Sequence, residues 1–325
     1  MKILVIGSNS FSGQDFVRHS LSQGDQVFCV SRNPQKNENL ISYRHGDCNF
    51  YQYDLNEDTN KIIDIISENN ITHIINFAAQ SIVEHSWNNP DHWYNTNTLS
   101  LCKLFKGLSI LLNQSDSVEK YIQVSTPEVY GTTSSRIIPS KDYNPTTPYA
   151  ASKAAGDTFI NMYAKYIGIP VSFVRSSNVY GKYQQFFKII PKCIVSILLN
   201  KKLPLHGGGL SRRDFIHIRD VSAAEYKVLK QGNDGQVYHI STEKEVSILN
   251  LIKLICSIMN KKIEDVVEVT PDRAGKDEAY VLDSSETRDM KWTPQISLEE
   301  GIKETIGWLE KIDLSRVSLE YEHQK

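Results

Sequence analysis

The first apolar run of the chain passes directly into a glycine-bearing loop, and this junction constrains the fold more than any other feature. Ile3–Ile6 leads into Gly7-Ser8-Asn9-Ser10-Phe11-Ser12-Gly13, and an amphipathic helical pattern follows over Ser12–Gln23. A glycine at a strand end permits a tight turn, and one on the following helix lets that helix pack closely on the sheet. The helix N-terminus then offers free N–H groups and the positive end of its dipole to a pyrophosphate. Gly7, Ser10, Phe11 and Gly13 are therefore expected at a dinucleotide, with Ser10 in the place of the usual middle glycine. Turn glycines are common, so the weight lies in the strand before and the helix after.

The same alternation continues. Gln26–Val30, Phe50–Tyr53, Thr72–Phe77, Lys120–Ser125 and Val171–Arg175 read as strands, with a helix over Lys61–Glu68 and helical stretches before the last two. This predicts an α/β fold, a Rossmann-type doubly wound parallel sheet. Beyond Asn178 the rhythm changes: Ile189–Asn200, Ile248–Met259 and Leu298–Leu309 are amphipathic, Pro204–His206 is extended, and Gly207–Gly209 reads as a loop. A smaller, mixed α/β C-terminal lobe is expected from residues 178–210 and 244–315. Residues 1–177, rejoined by about 211–243, form the dinucleotide domain, and 316–325 form a tail.

Composition narrows the partners. Lys and Arg total 36 against 38 Asp and Glu, a net charge of −2. That excludes the basic footprint of a general nucleic-acid binder and gives no polybasic patch for a membrane. The five cysteines form no C-x-x-C pair, so neither a metal site nor a disulfide framework is expected. No apolar run reaches a membrane span, and Ile3–Ile6 is too short for a signal-peptide core. The expected compartment is the cytoplasm.

The second strand ends Cys29-Val30-Ser31-Arg32, without the acid that normally accepts from a ribose 2′-hydroxyl. Ser31 and Arg32 suit a 2′-phosphate, though a solvated surface Arg reads the same way. The expected cofactor is NAD(P), leaning to NADP. Asp54 and Leu55 are placed for the adenine, and the small residues Ala78 and Ala79 let a backbone lie close to the cofactor. Further on, Tyr149 and Lys153 sit one helical turn apart. Tyrosine, with a pKa of about 10, is a poor base until a nearby Lys⁺ favours its phenolate.

Here the chain resembles the extended short-chain dehydrogenases/reductases, and within them the nucleotide-sugar 4,6-dehydratases acting on dTDP-glucose and GDP-mannose. The matching stretches are Gly7–Gly13, Ala78–Ser81, Ser125–Gly131, Tyr149–Lys153, Asn178–Gly181, Ile190-Pro191, Arg213–Phe215 and Pro271–Asp277, in family order. The resemblance implies an internal redox cycle on a tightly bound cofactor. Tyr149 takes the proton of the sugar 4-hydroxyl as hydride leaves C4, Thr126 hydrogen-bonds that oxygen, and Lys153 tunes Tyr149. Glu128 removes the C5 proton, water leaves from C6, and hydride returns there. Where the dTDP enzymes have an Asp to protonate the departing hydroxyl, this chain has Pro127. The GDP-mannose enzymes have a Ser there, so Glu128 or water is left to serve.

The resemblance also implies a nucleotide-diphosphate sugar as substrate and a homodimer as assembly. Gln80, Ser81, Asn178, Lys188, Pro191, Leu205, His206, Arg213 and Arg273 become candidate substrate contacts. Rival readings are a 4-epimerase, a UDP-glucuronate decarboxylase, an enzyme that stops at a 5,6-ene, and a non-catalytic NAD(P)-binding protein. Glu128 counts against the epimerase, and the intact Thr126, Tyr149 and Lys153 count against a non-catalytic role.

Overall fold

The computed structural model describes residues 1–113, 118–131, 136–271 and 281–320. Its first half alternates β1 (Lys2–Ile6), α1 (Phe11–Ser22), β2 (Gln26–Ser31), β3 (Asn49–Gln52), α2 (Thr59–Glu68) and β4 (His73–Asn76). Then come α3 (Val83–Ser86), α4 (Pro90–Tyr94), a π-helical turn over Asn95–Leu99, α5 (Ser100–Leu112) and β5 (Lys120–Val124). The middle of the chain supplies β6 (Arg136–Ile137), α6 (Pro148–Ile167), β7 (Val171–Ser176), β8 (Asn178–Tyr180), α7 (Ile189–Leu198) and β9 (Leu203–His206). It continues through β10 (Arg212–His217), α8 (Ile218–Gln231), β11 (Val237–Ile240), β12 (Glu245–Ser247) and α9 (Ile248–Ile258). Last come α10 (Ile263–Val266), β13 (Val267–Thr270), β14 (Val281–Leu282), α11 (Ser285–Asp289) and α12 (Leu298–Leu309).

Seven strands pair in parallel in the order β3-β2-β1-β4-β5-β7-β11. The apolar run of β1 is buried on both faces, as a strand inside a parallel sheet requires. Its side chains alternate: Leu4 and Ile6 enter a core with residues of α2, α5 and α6, whereas Ile3 and Val5 enter one with α1 and α8. This is the doubly wound Rossmann-type fold that the sequence predicts. Among the described residues, no helix is long and apolar enough to cross a membrane.

The remaining strands build smaller sheets. β8 runs parallel to β10, β12 runs antiparallel to β10, and β9 pairs with β13. Residues of α7, α9 and α12 close a third core around Tyr180, Phe215 and Trp308. Two local expectations shift. The third strand starts one residue earlier than Phe50, and Gly207–Gly209 forms a short 3-10 turn. The helical region from Trp93 to Leu112 is broken by the π-helical turn.

Candidate active site

The sheet order reverses between β1 and β4, where an open α/β sheet leaves a crevice. A groove of about 750 Å³ opens there. It is lined by Gly7, Ser10, Ser31, Arg32, Asp54, Leu55, Ala78, Ala79, Gln80 and Ser81. Gly7 has φ +82°, and a Cβ on it would sit 2.6 Å from the Ala78 nitrogen, so only glycine lets these two backbones meet. A Cβ on Gly13 would lie 2.4 Å from the Gly7 carbonyl oxygen, which is how closely α1 rests on the turn. Ser10 caps α1, its Oγ accepting from Gly13 N at 3.0 Å. Phe11 and Gly13 are buried at the start of α1 and do not line the groove.

These residues fit a dinucleotide: a glycine cradle that a Cβ would fill, a capped helix start, and a groove running to the ends of β2 and β3. The wall beyond Ser31 and Arg32 also carries Asn33 and Lys36, which were not expected there. Burial lowers the Lys36 ammonium below the usual amine range. The acids on the groove are Asp54 and Glu320, the latter beside Ser318 near the end of the described chain.

The candidate catalytic side chains come from two neighbouring elements. After β5 the chain enters a 3-10 turn over Pro127–Tyr130, capped by Thr126, whose Oγ1 accepts from Glu128 N at 3.3 Å. Pro127 is buried at the first position of this turn, where its fixed φ suits and its missing N–H costs nothing. Helix α6 begins at Pro148 because Thr147 Oγ1 accepts from Ala150 N at 3.1 Å. Tyr149 and Lys153 therefore share a buried face of its first turns, 7% and 3% exposed. The Lys153 ammonium donates to the Val124 carbonyl at 2.9 Å, joining α6 to the end of β5. Burial depresses its pKa, Asp157 opposes that shift, and Arg175 adds to it.

Helix α6 is also tied to the groove. Ser152 Oγ accepts from Asn97 Nδ2 at 2.9 Å. Asn97 Nδ2 donates to Gln80 O at 2.9 Å, and its Oδ1 accepts from Gln80 N at 2.9 Å. Asn97 sits in the π-helical turn, so this irregularity aims its amide between the groove and α6. Sequence reasoning missed Asn97; the only local signal is the polar run Asn95-Thr96-Asn97-Thr98 inside an otherwise apolar helical region.

The smaller sheets carry part of the expected substrate set. Asn178 is exposed on β8 opposite Phe215 of β10, and Arg213 lies two residues earlier on β10. Lys188 caps α7 and keeps solvent access; burial among surrounding groups lowers its pKa, while the facing Glu128 carboxylate opposes this. Pro191 is packed in the first turn of α7, and Leu205 is 3% exposed in the third core. Both are packed in the interior of this region. His206 Nδ1 lies 2.8 Å from Thr270 Oγ1. Arg273 and the rest of 272–280 lie outside the described residues.

Known proteins resemble this chain in sequence and in fold. A dTDP-D-glucose 4,6-dehydratase from Bos taurus is 33% identical over 328 residues, covering 94% of this chain and 88% of that one. The crystal structure of a dTDP-glucose 4,6-dehydratase from Bacillus anthracis in complex with NAD superposes with TM-score 0.83 at 30% identity, covering 96% of this chain and 97% of that one. The enzyme of the same name from Streptomyces venezuelae, solved with NAD bound, gives TM-score 0.85 at 27% identity, over 96% and 97% of the two chains. The family model for GDP-mannose 4,6 dehydratase matches residues 4–305, which take in the glycine cradle, the Thr126 turn, α6 and the smaller sheets. The chain belongs to that family of nucleotide-sugar 4,6-dehydratases.

Proposed function

We propose that the protein is an NDP-hexose 4,6-dehydratase, converting a nucleotide-diphosphate sugar to its 4-keto-6-deoxy derivative. The observation that carries this reading is the Tyr149–Lys153 face of α6, joined by Lys153 to the end of β5, from which Thr126 and Glu128 follow on one turn. A bound nicotinamide supplies reversible acceptance of hydride. Tyr149 takes the 4-hydroxyl proton, and the charge on Lys153 favours its phenolate. Thr126 keeps its hydroxyl proton to donate to the same sugar oxygen, since its Oγ1 lone pair already serves Glu128 N. The C4 ketone acidifies C5–H, and Glu128 removes that proton. Pro127 can give none to the departing 6-hydroxyl, so Glu128 passes on the proton it has just taken.

The cofactor question turns on the end of β2. The solved relatives above contain NAD. The lean to NADP rests on this chain's Ser31 and Arg32, to which the groove adds Lys36, and the NAD-bound relatives do not support it; the groove's acids among the described residues are Asp54 and Glu320. Binding of both dinucleotides, measured side by side, decides between them. We further assign the sugar nucleotide to Asn178, Lys188 and Arg213, with 178–210 and 244–315 as its lobe. Homodimer formation is supported by exposed apolar side chains along α5 and α6 and the turn before them: Leu99, Ile110, Met162 and Tyr166. The cytoplasm suits the five free cysteines.

A panel of NDP-glucose, NDP-mannose and NDP-N-acetylglucosamine tests the activity, with loss of water read by mass spectrometry. A change of configuration at C4 without loss of water would overturn the reading. Glu128→Gln is expected to abolish elimination while C4 oxidation stays measurable.

A further inference from the structure

Asp157 is one of several buried carboxylates that take no part in the proposed reaction. It lies on α6 one turn beyond Lys153 and two beyond Tyr149, and is 1% exposed. Its Oδ2 accepts from Ser125 Oγ at 2.5 Å and from Arg175 NH2 at 3.0 Å. Ser125 is the residue before Thr126. Arg175, fully buried on β7, also donates to the Tyr130 hydroxyl at 2.5 Å and the Tyr143 hydroxyl at 2.9 Å. Tyr130 closes the 3-10 turn that carries Glu128. One carboxylate thus stands where the catalytic helix, the loop after β5 and strand β7 converge.

Stability alone is a poor reason for such a pair. A buried ion pair is often no better than well-packed apolar residues of the same volume. Here the pair is also incompletely satisfied, since Asp157 Oδ1 and Arg175 Nε are buried without hydrogen-bond partners. The chemistry gives a better one. Thr126 and Tyr149 must reach the same sugar oxygen from different elements. The backbone of Ser125 is anchored to β7, with Ser125 N donating to Val174 O at 2.9 Å. Lys153 reaches Val124 O, and the Ser125–Asp157 bond is the second link from the end of β5 to α6.

We propose that Asp157 is a positioning residue: through Ser125 and Arg175 it holds the Thr126–Glu128 turn against the Tyr149–Lys153 face of α6. The proposal rests on the dehydratase reading for its kinetic consequence, and its structural half can be tested without that reading. Ser125→Ala removes the link to the loop and leaves the Asp157–Arg175 pair intact, so it is the informative variant even if Asp157→Ala fails to fold. In the holoenzyme, kcat per bound dinucleotide should fall about 10²-fold, the cost of misplacing a reacting group by about 1 Å. KM for the sugar nucleotide and dinucleotide affinity should be unchanged. Ser125→Thr, which restores a hydroxyl, should recover the rate. Amide hydrogen exchange across 124–131 should accelerate in Ser125→Ala and return to normal in Ser125→Thr. Wild-type kcat in Ser125→Ala, or a loss of stability with kcat per bound dinucleotide unchanged, would overturn the proposal. If the wild-type protein dehydrates no sugar nucleotide, the functional reading fails by itself. Exchange across 124–131 then still decides, and unaltered exchange in Ser125→Ala refutes the tether.

Discussion

His217, at the end of β10 and 2% exposed, carries a clear pH signature. Its Nδ1 accepts from Arg219 N at 3.3 Å, which puts the ring proton on Nε2; there the nearest carboxylate, Glu304, is 3.9 Å away. Burial, with Arg219 and Lys182 adding to it against Glu304 and Asp15, brings its pKa down to about 4. In the unfolded chain the value is about 6.5, so the unfolded state binds the proton more tightly. The stabilisation from a neutral His217 is therefore complete above about pH 6.5 and is lost as pH falls toward 4, about 3 kcal/mol in all. Denaturant melts across that range should show His217→Gln flattening the acid limb; equal slopes in both proteins would count against it. Residues differ in how legible they are. Gly7, Tyr149 and Lys153 announce themselves by local spacing. Asn97, Asp157 and Arg175 do not, because each acquires its role from a partner brought near only by the folded chain, such as Ser152 for Asn97 or Tyr130 for Arg175.

At the scale of elements, the β1–α1 junction makes the sharpest prediction. Gly13→Ala would put a Cβ 2.4 Å from the Gly7 carbonyl and 2.8 Å from Ser10 Oγ, and the carbonyl belongs to a turn that cannot yield. A cost of about 1–3 kcal/mol is expected, with weaker dinucleotide binding because α1 must lift from the cradle. Thermal melts and binding titrations check both, and an unchanged affinity would mean that the close approach does not shape the site. Helix ends were readable where chemistry marks them. Leu298–Leu309 matches the sequence expectation because Ser297 and Glu300 form a capping box. The π-helical turn over Asn95–Leu99 carries no such mark, because one such turn barely disturbs an apolar period.

For the whole molecule, strand–helix alternation was enough to foresee the parallel sheet, since crossover rules leave few other topologies. The smaller sheets were less legible: β8, β9 and β12 are three or four residues long and pair with partners distant in sequence. Assembly is predicted at this scale too. Tyr166 is 80% exposed and Met162 60% exposed, one helical turn apart on α6. Replacing both with Lys should convert a dimer to a monomer in sedimentation equilibrium while the fold persists. A wild-type protein that sediments as a monomer would end the homodimer proposal.

The turn over Asn95–Leu99 also has an evolutionary corollary. A π-helical turn holds one residue more than an α-helix would over the same span. Deleting a single residue there, Thr98 for instance, would let α4 and α5 merge into one regular helix. The flanking segments would keep their phase, but the bulge that aims the Asn97 amide between Gln80 and Ser152 would be gone. Asn97 could then no longer serve both the Gln80 backbone and Ser152. A one-codon loss that improves local regularity would thus disconnect the groove at β1 and β4 from α6, so length through this segment should be under stronger selection than the identity of its exposed residues.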